Sequence, residues 1–71
     1  VQDEIEIRFT YHPPHGDQPK RFELLRGEAR VMARMIESLT PESRERSLAL
    51  TALEEVVMWA NAAIARREPR P

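Results

Sequence analysis

No cysteine occurs in this chain, which excludes a disulfide staple and a thiolate metal site. No apolar run approaches the ~18 residues of a membrane span, and no signal-peptide pattern opens the sequence. The chain therefore reads as a soluble intracellular protein with no membrane partner. An excess of one charge is missing too. The 11 basic and 12 acidic residues leave a net −1, which argues against DNA and against broad nucleic-acid binding. A small anion needs only a local cluster of positive groups, so that ligand class stays open. Gly-rich phosphate loops, a nucleophile elbow, internal repeats and low-complexity segments are also absent. The chain opens on Val1 and not on Met, as a trimmed or processed piece would.

What is there amounts to one domain. A chain of 71 residues buries only about 60% of its unfolded surface and is marginal alone. Oligomerisation is the common remedy left when staples are lacking. The closing helix points the same way. In the segment predicted as helix over 41–67, Leu50, Leu53, Val57, Ala60 and Ile64 share one face, while Leu48, Ala52 and Trp59 share another. A single hairpin partner covers a stripe of roughly 100° or a little more, so the second face calls for a second chain.

The rest of the chain divides into three parts and a tail. Residues 1–11 alternate in their later half, with Ile5, Ile7, Phe9 and Tyr11 on one face and Glu4, Glu6, Arg8 and Thr10 on the other, the period of a strand. No second strand follows, so this one must pair with another chain or lie as an extended arm. Residues 12–18 form a Pro-rich loop, after which Asp17 or Gln18 caps a helix over 19–39 with Pro19 in its first turn. That helix carries a seam of Phe22, Leu25, Ala29, Met32, Ile36 and Leu39. Thr40 and Pro41 supply the cap and first position of the next helix, and so short a link makes the two antiparallel. Residues 68–71 read as a frayed tail. The fold class is mainly α: an antiparallel two-helix hairpin, preceded by one short N-terminal strand or extended arm, and completed by oligomerisation.

Catalysis has little to stand on. His12 and His15 flank a Pro-Pro pair without the further ligands that a metal site needs, and they read as loop histidines. Glu54 and Glu55 are adjacent on a helix, about 100° apart, and do not face each other. No cofactor is indicated. The notable polar set is Arg26, Arg30 and Arg34, spaced by four along the first helix beside its apolar seam. One reading is a solvated face partnered by Glu23 and Glu37, in which exposed pairs contribute little. The other is a cleft between protomers, where guanidinium forks hold phosphate. Arg44 and Arg46 add charge where a helix N-terminus offers free N–H groups. Phe9, Tyr11 and His12 offer rings for a base, or pack into the core instead.

Two stretches then resemble a known family. One is Phe9-Thr10-Tyr11-His12-Pro13-Pro14, continued by Gly16-Asp17-Gln18-Pro19, Arg21-Phe22-Glu23 and Arg26. The other is Ser43-Arg44-Glu45-Arg46-Ser47-Leu48-Ala49-Leu50-Thr51, running on through Leu53-Glu54-Glu55 to Met58-Trp59-Ala60-Asn61-Ala62-Ala63-Ile64-Ala65-Arg66. Both resemble the phage hairpin domain shared by anti-CBASS and anti-Thoeris cyclic-nucleotide sponges. The resemblance implies sequestration without chemistry, in the cytoplasm of an infected bacterial host. It implies dimers or hexamers whose pockets draw on more than one protomer. The ligands it implies are cyclic di- or trinucleotides or cyclic ADP-ribose isomers. It assigns ligand contacts to Tyr11 or Phe9 and to Arg26, with Thr51 and Asn61 as polar positions in the matching motif. His15, Val56-Val57 and Arg67 depart from the expected pattern. The alternative, from another class, is a non-catalytic helical-hairpin oligomer acting as a structural or protein-interaction module. An enzyme such as a small phosphodiesterase stands third, and would need a metal that the chain hardly offers.

Overall fold

The computed structural model describes residues 3–69, so Val1 and Gln2 of the expected arm and Arg70 and Pro71 of the expected tail lie outside it. Three helices follow in order, α1 (Glu4–Phe9), α2 (Gln18–Leu39) and α3 (Arg44–Arg67), with no strand among the described residues.

The expected N-terminal strand is corrected: Glu4–Phe9 is helical. A lone strand leaves its ladder groups unpaired, whereas a helical turn satisfies them locally. The ends also suit a helix. Asp3 Oδ1 accepts from the Glu6 N–H at 2.9 Å, Glu4 and Glu6 occupy the first turn, and Arg8 the last. The extended arm survives only as the stretch from Thr10 to Pro14, ahead of a tight turn. In that turn Gln18 N–H donates to the His15 carbonyl at 3.1 Å, and Gly16 takes φ +57° at the position that favours glycine.

Proline stops both long helices. Thr40, before Pro41, is extended at φ −126° and ψ 152°, and Glu68, before Pro69, is extended at φ −81° and ψ 144°. Thr40 closes α2 and does not open α3, since its N–H (3.2 Å) and its hydroxyl (2.6 Å) both donate to the Ile36 carbonyl. The cap of α3 is Ser43, whose Oγ accepts from the Arg46 N–H at 3.1 Å, so Pro41 belongs to the link.

Helices α2 and α3 pack antiparallel. The predicted α3 face of Leu50, Leu53, Val57, Ala60 and Ile64 is the half-buried one, and Leu48 and Trp59 (64% exposed) point away. On α2 the half-buried residues include Phe22, Leu25, Ala29, Ala33 and Ile36, while Met32 and Leu39 of the expected seam are exposed. Ala33 takes their place because it lies opposite Leu50.

The open end of the hairpin is tied by polar groups. Gln18 is 2% exposed, the one buried residue described. Its Nε2 donates to the Ile64 carbonyl at 3.1 Å and to Glu68 Oε1 at 3.0 Å, and its Oε1 accepts from His15 N–H at 3.2 Å. Arg21 grips both oxygens of Glu68, at 2.6 and 2.7 Å. Glu68 is therefore held and not frayed. The Arg21 and Gln18 donors keep its carboxyl at about 2, well below the usual 4.5. Arg67 and Arg8 do the same to Glu4, also to about 2, which ties α1 to the end of α3.

The result is a plate, 48 × 25 × 13 Å. Its radius of gyration is 15.3 Å, where a compact chain of this length has about 11 Å. Its accessible surface of 5870 Å² exceeds by roughly 1,300 Å² that of an ordinary folded monomer of 8.3 kDa. No hydrophobic side chain among those described is buried, and full burial is what stabilises by ~1.5–3 kcal/mol apiece. By length and composition α3 is also apolar enough to cross a membrane, although Glu54 and Glu55 fall near its middle. A charged side chain at the centre of a span costs about 2.5–3.5 kcal/mol on insertion scales.

Candidate functional site

One face of the plate carries the arginines. Helical spacing sets Arg26, Arg30 and Arg34 about 6 Å apart along α2, drifting slowly around it. The outer two are held by carboxylates of their own helix. Arg26 Nη1 lies 2.8 Å from Glu23 Oε1, and Arg34 Nη1 lies 3.1 Å from Glu37 Oε1. Arg30 has no ion pair among the described residues. It lines two adjoining grooves between the helices, one of about 290 Å³ with Ala33, Arg34, Glu37 and Leu50, the other of about 240 Å³ with Ala29, Leu53, Glu54 and Val57. Ligand pockets commonly run ~300–1,000 Å³ and close over most of their ligand, whereas these grooves are open and lie at or below the lower end of that range.

The remaining candidates fall at opposite ends of the plate. Phe9 (83% exposed), the last residue of α1, and Tyr11 (80%), on the arm, are both open to solvent, so neither packs into a core. His12 is half-buried, and its Nε2–H donates to the Ile7 carbonyl at 2.7 Å, pinning the arm to α1. These rings belong to the end where α1, the start of α2 and the finish of α3 are tied together. Arg44 and Arg46 stand at the other end, beyond the finish of α2. Arg44 is exposed at the first position of α3 and has no ion pair among the described residues. Arg46 is engaged: Nη2 donates to the carbonyls of Glu37 (3.0 Å) and Thr40 (2.9 Å), a cation closing the negative end of α2. From Arg26 to Thr40 the helix rises about 21 Å, so one protomer does not bring Tyr11 to Arg44 or Arg46.

Thr51 is exposed on α3, and Asn61 is half-buried, with an Oδ1 that is shut from solvent and accepts no hydrogen bond. A buried acceptor left unpaired costs about 1–3 kcal/mol, which marks Asn61 as a place for a donor. Among the described residues no three of His, Cys, Asp and Glu come together as metal ligands. The sequence reading missed the Gln18–Arg21–Glu68 clasp, whose members meet only when the hairpin closes.

A family model described as Acb2/Tad1, hairpin domain, matches residues 2–65. The chain belongs to that family. It is the family of the anti-CBASS and anti-Thoeris sponges, as the two sequence stretches imply. The matched span takes in α1 and nearly all of the Acb2/Tad1 hairpin, Asn61 included, and stops short of Arg67 and Glu68, the residues that tie the ends. No curated protein and no solved structure matches the chain.

Proposed function

We propose that the protein binds cyclic nucleotide immune signals and sequesters them unchanged. The signals are cyclic di- or trinucleotides or cyclic ADP-ribose isomers, and the setting is the cytoplasm of a phage-infected bacterium. It acts as a homo-oligomer, a dimer or hexamer, and not as an enzyme. One observation carries the reading: in a chain matched by the Acb2/Tad1 hairpin domain, the arginine face holds an open groove whose central guanidinium, Arg30, has no ion pair among the described residues. Arg30 and Arg26 neutralise phosphate, Arg26 exchanging Glu23 for the ligand. Tyr11, or Phe9 beside it, stacks on a base. Thr51 and the unpaired Asn61 amide receive or give hydrogen bonds. Because Tyr11 and Arg44 stand at opposite ends of a protomer, a pocket using both draws them from different copies. Arg46 then stays at its post on α2.

A second reading has its own support. The Arg26–Glu23 and Arg34–Glu37 pairs are what a merely solvated stripe would show, as in a structural or protein-interaction module. Calorimetry against a panel of cyclic di- and trinucleotides and cyclic ADP-ribose isomers separates the two. Heat-denaturing the complex and analysing the released nucleotide then tests for chemistry. Binding with intact recovery is the expected result. Degraded nucleotide would make the protein an enzyme, and silence across the panel would leave the interaction module.

A further inference from the structure

Arg30 shares its groove with a second charge that lacks a counter-ion. Glu54 is exposed on α3, lines the groove of about 240 Å³ together with Arg30, and has no ion pair among the described residues. The two charges line one groove, yet no salt bridge joins them. Glu55 lies about 100° further around α3 and does not line it. Between Arg30 and Glu54 the wall is apolar, built from Ala29, Ala33, Leu53 and Val57.

The adjoining groove has a different balance. There Arg34 holds Glu37 at 3.1 Å, so the surplus charge is the Arg30 guanidinium, which suits a phosphate. Beside Glu54 a phosphate is repelled by the carboxylate, and a metal ion or ammonium group is repelled by Arg30. A neutral group that presents hydrogen-bond donors satisfies the carboxylate without either penalty. On the opposite face of the plate a groove of about 230 Å³ also holds a carboxylate, Glu28, among Leu25, Met32, Val56 and Ala60. No cation lines that groove, so a phosphate has no partner beside Glu28.

We infer that Glu54 reads the base of the bound nucleotide, and that the base is guanine. The inference rests on the ligand reading of the proposed function, in which Arg30 holds a phosphate. Guanine offers two adjacent donors, N1–H and the 2-amino group, and the two oxygens of one carboxylate accept both. Adenine and cytosine place a ring lone pair beside their amino group. Uracil sets its one N–H between two carbonyls. Each of these three therefore turns an acceptor toward the carboxylate, which repels it. A ribose hydroxyl gives a single donor on a polar ring, whereas the apolar wall suits the flat face of a base. Glu54 is thus the specificity-determining residue, and Arg30 supplies affinity common to every base.

The test is calorimetry of the full chain with cyclic di-GMP, cyclic di-AMP and cyclic di-IMP, for wild type, Glu54→Gln and Arg30→Ala. Wild type should bind cyclic di-GMP about ten- to a hundredfold more tightly than cyclic di-AMP, the discrimination of one bidentate base contact. Cyclic di-IMP keeps N1–H but lacks the 2-amino group, and should fall between them. That comparison uses wild type alone, so it stands whatever a variant does to folding. Glu54→Gln should weaken cyclic di-GMP selectively and erase the preference. Arg30→Ala should weaken all three ligands together and leave the preference standing. Equal affinity of wild type for the three, or a guanine preference that Glu54→Gln leaves intact, overturns the base assignment while the ligand reading stands. Wild type that binds only cyclic ADP-ribose isomers, whose base is adenine, has the same consequence. Silence toward these and every other cyclic nucleotide of the panel overturns both readings.

Discussion

The two faces of the α2–α3 plate are made by the same helices around the same half-buried seam, yet one is apolar and the other charged. On the apolar face the exposed positions of α2 are Leu24, Val31, Met32 and Met35, and the single charge in the groove is Glu28. On the other face Arg26, Arg30 and Arg34 recur at four-residue spacing, and among the described residues carboxylates hold the first and last but not the middle one. A globular domain this small would ordinarily keep one apolar side and bury it. Here the chain buries neither side, and no hydrophobic side chain described is removed from water. Under the proposed function, ligand contact falls to the face whose middle guanidinium has no ion pair among the described residues.

The sharpest way to break that comparison is to remove the arginines. Arg30→Ala and Arg26→Ala should each weaken cyclic-nucleotide binding about ten- to a hundredfold, the loss of one charge-assisted contact, while Leu24→Ala leaves calorimetric affinity unchanged. If either arginine variant instead drops the oligomer to a monomer, the charged face is structural and the ligand reading of it fails.

A smaller effect tests what holds the two faces in register. Gln18→Ala removes the side-chain bonds to Ile64 and Glu68 and should cost about 1–3 kcal/mol in thermal unfolding. Unchanged melting would show that the clasp is incidental. Acid probes the same ties. Glu68 and Glu4 both sit at about 2 in the folded chain against a usual 4.5, so they take up protons less readily when folded. Their contribution to stability is complete above about pH 4.5 and is lost as pH falls toward 2. Melts followed by circular dichroism should drop across that window, and Glu68→Gln should flatten the drop.

The smallest expected change sharpens the outer edge. Gly27 lies inside α2, and a methyl group there would meet nothing within 4 Å. Gly27→Ala should stabilise by about 0.5–1 kcal/mol through helix propensity. A loss of oligomer mass would instead reveal another chain lying over that position.

Much of the hairpin was legible because its signals are local. The half-buried and exposed faces of α3 follow from a 3.6-residue period, and both long helices end at the residue before a proline. The N-terminal segment was misread because Ile5, Ile7, Phe9 and Tyr11 alternate as a strand would, while the Asp3 cap and the Glu4–Arg8 pair, equally local, favour a helix when no partner strand is present. Met32 and Leu39 were placed in the seam because apolar spacing cannot tell which edge of a wide stripe meets the partner. Of the candidate site, the arginine stripe was visible, but its pairing pattern was not. Nothing local says that, within the stripe, Arg30 is the one with no ion pair among the described residues, or that Arg46 is spent on the carbonyls of Glu37 and Thr40.

By itself the sequence determined the two long helices, their antiparallel link, the surplus of apolar surface and the family, because each depends on neighbours a few residues apart or on a long ordered match. Only the tertiary structure decided which surfaces the surplus occupies. It also decided that a buried glutamine, bonded across 46 and 50 residues to Ile64 and Glu68, locks the open end. Those contacts depend on how two helices lie against each other, and spacing along one chain does not contain that.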